Sequence, residues 1–98
     1  MKYRLLEKQL KEITEIFASY QEIDEAILFG SRAKGTHKEA SDVDIVIKGE
    51  NVTYSFVAKL KSHLEEDTYL PYFFDVIAYK TITSDELKEH IRIYGKTL

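Results

Sequence analysis

The sequence has no cysteine, one proline and four glycines among 98 residues, and it carries no basic excess. Without cysteine there is no disulfide, no thiolate metal site and no thiol nucleophile. So little proline and glycine, beside 44% hydrophobic and 32% charged residues, excludes a collagen-like or disordered chain and describes a globular one. Fourteen basic side chains stand against seventeen acidic ones, a net charge of −3. Proteins that live on phosphate backbones carry a basic surplus, so direct nucleic-acid binding is disfavoured. No run approaches the roughly 20 apolar residues that span a bilayer. The opening MKYRLLEKQLKEITEIF is broken by charges every few residues, unlike a signal peptide, and the expected location is cytoplasmic, with no membrane partner. The length suits a single domain, residues 1–98, with one modest core.

Hydrophobic spacing sets out the elements. Tyr3, Leu6, Leu10, Ile13, Phe17 and Tyr20 recur in steps of three and four, which predicts an amphipathic helix over 3–20. Ala26-Ile27-Leu28-Phe29, stopped by Gly30, reads as a buried strand ending in a tight turn. The polar GSRAKGTHKEAS that follows reads as a loop with room for one helical turn after Ser31. Residues 42–48 (DVDIVIK) read as a second strand with one wet end. Phe56, Val57, Leu60 and Leu64 predict a helix over about 52–66. Beyond Pro71, YFFDVIAY at 72–79 predicts a third strand. Thr83 and Glu86 stand at capping-box spacing before a last helix with Leu87, Ile91 and Tyr94 on its apolar face and Gly95 at its end. The order is α-β-(loop or short α)-β-α-β-α, an α/β (α+β) class in which helices cover a small sheet. The first connection between strands lacks a crossover helix, so those strands should be antiparallel neighbours in a mixed sheet.

Three features bear on chemistry. Gly30-Ser31 follows an apolar strand, where glycine permits close backbone approach and serine offers a hydroxyl and an N–H to phosphate oxygens. Taken alone, such a pair is an ordinary turn. Asp42 and Asp44 stand two apart on a strand, so their carboxylates share a side. Like charges held that close invite a cation, and Mg2+ is typically held by one or two carboxylates plus phosphate oxygens. The plain alternative is a solvated strand end. Asp75 lies between Phe74 and Val76 in an apolar strand, where an unpartnered carboxylate is costly. It either accepts a structural hydrogen bond or completes a three-carboxylate cluster that ligates metal or takes a proton.

Together, Gly30-Ser31, ten residues, then Asp42-Val43-Asp44, within ILFGSRAKGTHKEASDVDIVI, closely resemble the signature of the minimal nucleotidyltransferases (MNT) of the DNA polymerase β-like superfamily. The resemblance runs from the leading helix through Asp75 to the closing IRIYGKTL. It implies the palm-like nucleotidyltransferase fold, with Gly30 and Ser31 as the phosphate-binding turn and Arg32 as a basic residue touching nucleotide phosphates. Lys34 and Gly35 fit the same loop. It further implies that Asp42, Asp44 and Asp75 bind one or two Mg2+ ions, with Asp75 also activating the acceptor and ATP as the nucleotide donor. Members of this branch are commonly antitoxins of HEPN toxins, and some transfer AMP to a toxin tyrosine. Two alternatives stay open: an antitoxin that neutralises its partner by binding alone, and a transferase acting on a small molecule.

The remaining candidates read blandly. His37, His63 and His90 show no mutual ligand spacing, which argues against zinc, and most of the aromatic residues fall on inward-facing positions. Exposed parts of the first or last helix offer a route to a homo-oligomer.

Overall fold

The computed structural model describes residues 2–36 and 41–98. Its elements are α1 (Glu7–Ala18), β1 (Glu25–Phe29), α2 (Gly30–Lys34), β2 (Val43–Lys48), α3 (Tyr54–Glu66), β3 (Phe74–Ala78), α4 (Asp85–Tyr94) and β4 (Lys96–Thr97), with a 3-10 turn at Tyr79–Thr81. The four strands form one mixed sheet in the order β3-β2-β1-β4. β1 runs antiparallel to β2, as the short connection between them predicts, while α3 carries the chain across so that β3 lies parallel to β2. In register, Phe29 faces Asp44 and Asp44 faces Asp75.

Strand alternation gives the sheet two apolar faces. On one, Leu28, Val43, Ile45, Ile47, Phe74 and Val76 pack with Ile13 and Phe17 of α1 and with Phe56, Leu60 and Leu64 of α3. On the other, Ile27, Phe29 and Val46 pack with Ile82 and with Ile91 of α4. The stepping of Phe56, Leu60 and Leu64 keeps one stripe of α3 on the sheet, and Thr53 caps that helix by accepting the Phe56 N–H at 3.1 Å.

Three boundaries differ from the sequence expectation. The first helix starts at Glu7, not at 3, because Tyr3 and Arg4 sit at φ +57° and +58°, a left-handed conformation no α-helix admits. They form a tight turn closed by the Leu5 N–H on the Lys2 carbonyl at 2.8 Å, which sends Leu5 into the core and leaves Leu6 53% exposed. The last helix is capped by Ser84, whose hydroxyl accepts the Leu87 N–H at 3.2 Å, rather than by Thr83. After Gly95 the chain turns back, and Lys96–Thr97 pairs with β1 as a fourth strand too short for a periodicity signal. Among the described residues no helix is long and apolar enough to cross a membrane.

Leu60 is fully buried beneath the sheet, whereas Ile93 on α4 is about half exposed. Leu60→Ala should therefore cost about 2–5 kcal/mol and lower the urea midpoint, while Ile93→Ala should shift stability by no more than about 0.5 kcal/mol.

Candidate active site

β1 ends at Phe29, and the next residue turns sharply: Gly30 has φ +75°. Because Phe29 pairs with Asp44, the Asp44 side chain leans over the Gly30 backbone. A Cβ on Gly30 would lie 2.1 Å from Asp44 Oδ2 and 3.2 Å from Asp44 Cβ. Glycine is thus required twice, for its conformation and for the room it leaves. The turn runs straight into α2, whose five residues close at Gly35 in the left-handed conformation, with the Gly35 N–H on the Ser31 carbonyl at 2.9 Å. The helical turn foreseen after Ser31 is there.

The three aspartates gather at this corner. Asp44 and Asp75 are cross-strand partners and point to the same side of the sheet. Asp42 is exposed, one residue before β2. Burial first, then the like charges of Asp75 and Asp42, push the Asp44 carboxyl up to about 6 from an ordinary 3.8, against the opposing pull of Arg32. Asp75 corrects an expectation. It is not a buried anomaly in an apolar strand; Phe74 and Val76 point into the core and Asp75 alternates to the open side, exposed. As placed, no three of the His, Asp and Glu side chains among the described residues form a group able to hold a metal ion. Shared negative charge marks this corner rather than a formed cage. The donors are all carboxylate oxygens, the type Mg2+ takes, and Mg2+ needs only one or two of them when phosphate oxygens supply the rest.

Arg32 is turned the other way from its expected place on nucleotide phosphates. Its side chain is 2% exposed and is spent on main-chain oxygens: Nε on the Ser41 and Asp42 carbonyls at 3.1 and 3.3 Å, Nη2 on Ser41 at 2.6 Å, and Nη1 on Tyr3 at 2.7 Å. The ring of Tyr72 covers the guanidinium at 5.1 Å. One side chain thereby ties α2 to the N-terminal turn and to the backbone that leads into Asp42 and Asp44. Lys34 rests over the Tyr94 ring at 5.3 Å, and His37 lies outside the described residues.

The sequence reading passed over His90. Its Nε2 accepts the Gly30 N–H at 2.9 Å, so α4 reaches the Gly-Ser turn directly. The available signal was a polar residue on an apolar stripe, since Leu87, His90, Ile91 and Tyr94 share one helix face.

The family model "Polymerase beta, Nucleotidyltransferase" matches residues 11–98, and the chain belongs to that family of nucleotidyltransferases. No curated protein sequence matches it. Its fold is similar to that of a toxin–antitoxin structure with AMP-PNP, at TM-score 0.73 and 21% identity over 89% of this chain and 69% of that one. It is also similar to a variant of the toxin–antitoxin pair MntA-HpeT, at TM-score 0.70 and 19% identity over 95% and 72%. A third likeness is to a tri-AMPylated Shewanella oneidensis HEPN toxin in complex with MNT antitoxin, at TM-score 0.67 and 18% identity over 89% and 66%. All three of these are toxin–antitoxin structures.

The raised Asp44 carboxyl fixes the sign of a pH effect. The folded state holds this proton more tightly than the unfolded chain, so stability falls as pH rises from about 4 to about 6 and the penalty is complete above that. Asp44→Asn removes it. In EDTA at pH 7.5 the variant should be more stable than the wild type by about 1 kcal/mol, a figure discounted for solvent screening. Thermal melts should show this advantage shrinking as pH is lowered towards 4.

Proposed function

We propose that this nucleotidyltransferase moves AMP from ATP to a hydroxyl, a tyrosine of a HEPN-type toxin, and so acts as that toxin's antitoxin. The observation that carries the reading is the row Phe29–Asp44–Asp75, which sets two carboxylates beside the Gly30–Ser31 turn. Membership of the nucleotidyltransferase family and likeness in fold to MNT toxin–antitoxin structures support it.

In this mechanism residues 1–98 act as one domain in the cytoplasm. Ser31 offers its hydroxyl and N–H to the triphosphate, while the Gly30 N–H stays with His90. Arg32 sets the backbone before Asp42 without touching substrate. One or two of the Asp42, Asp44 and Asp75 carboxylates would hold Mg2+, which when bound supplies positive charge to the phosphate oxygens. The acceptor oxygen attacks the α-phosphorus, the bond to the β-phosphate breaks, and pyrophosphate leaves. The hydroxyl proton passes to Asp75, the exposed carboxylate of the cross-strand pair.

The test is the intact mass of a co-expressed HEPN-type toxin. Wild type should add one or more adenylyl groups, and Asp42→Asn/Asp44→Asn should lower transfer by about 100-fold or more while remaining folded. Undiminished transfer by the double variant would overturn the mechanism. An unmodified toxin silenced equally by both forms would replace catalysis with neutralisation by binding.

A further inference from the structure

We propose that His90 is a positioning residue for nucleotide binding: its Nε2 holds the Gly30 N–H, and α4 thereby sets the turn that presents Ser31. This inference rests on the reading of the Gly-Ser turn given above and extends it to an element that carries none of the motif.

Two side chains of α4 bracket the short helix. His90 takes the N–H of its first residue at 2.9 Å, and Tyr94, one turn further along α4, lies under the Nζ of its last, Lys34, at 5.3 Å. Five residues are too few to hold a helix by their own hydrogen bonds, so its orientation must come from outside. Arg32 anchors one side of it to the Ser41 and Tyr3 carbonyls, and α4 anchors the other.

The imidazole is itself held. It meets the Phe29 ring edge-on at 6.3 Å and the Tyr94 ring at 5.2 Å. A backbone N–H can only donate, so Nε2 carries the lone pair and the proton resides on Nδ1. One N–H serves one acceptor well. With Nε2 in place and Asp44 Oδ2 leaning over the same glycine, a phosphate oxygen finds its donors at Ser31, not at Gly30. His90 therefore acts through the turn rather than on substrate.

Two variants separate this role from packing. His90→Phe keeps an aromatic ring between Phe29 and Tyr94 but removes the acceptor, and His90→Gln restores an acceptor without the ring. Binding of AMP-PNP with Mg2+ is measured by calorimetry on the full chain, KM for ATP and kcat are measured with the co-expressed acceptor, and the Gly30 amide is followed by NMR. His90→Phe should weaken AMP-PNP binding and raise KM about five- to tenfold with kcat little changed, and should shift the Gly30 amide. His90→Gln should recover most of the affinity.

If His90→Phe is folded and binds as the wild type does while Asp44→Asn loses binding, the inference is overturned and the nucleotide site stands. Failure of a folded His90→Gln to bind any better than His90→Phe overturns it as well. If the wild type itself binds no nucleotide, the functional reading fails, and the role of His90 in binding fails with it.

Discussion

Everything at the candidate site hangs on the register of β2. Pairing antiparallel to β1 and parallel to β3 aligns Phe29, Asp44 and Asp75 in one row across three strands. The Gly30 turn begins one residue past that row. A slip of one residue would drive Asp44 into the core and bring Ile45 out, so the burial of Val43, Ile45 and Ile47 and the exposure of the carboxylates enforce each other. The hydrophobic core thus fixes where the charges stand.

That alignment is held against its own electrostatics. Asp44 is partly buried beside two like charges, and the absence of a side chain on Gly30 leaves it room. The nearby cation, Arg32, lies behind the turn with its donors engaged by main-chain oxygens. It steadies the backbone and only partly offsets the carboxylates. What is left over is an acidic corner whose carboxylates repel one another.

The parts of the fold that rest on periodicity were legible in the sequence. The apolar runs of β1 and β2 and the stripe of α3 and α4 are nearest-neighbour patterns, and the missing crossover helix gave the antiparallel pair. Tyr3 and Arg4 were not legible, because no glycine or asparagine announces their left-handed turn and the helical spacing runs through them. Nor was β4, whose two residues are a strand only because β1 has a free edge. At the candidate site, Gly30, Asp42 and Asp44 stood out by motif spacing and Asp75 as a lone carboxylate in an apolar strand. The exposure of Asp75 followed from plain alternation, had the strand been read as one-sided. The partners of Arg32 and His90 were not legible for one reason: they are carbonyls and an N–H, and backbone partners leave no trace in side-chain patterns.

The two faces of the sheet are unequally furnished. Among the described residues, sixteen buried hydrophobic residues fill the side under α1 and α3, and five fill the side under α4. Local opening favours thinly packed elements, and α4 lies on the thinner layer. When it lifts, the last hold on the start of α2 from that side goes with it. The Gly30 turn therefore draws part of its order from a helix on the thinner side of the sheet, and a partner that seats α4 firmly would steady that turn without touching it.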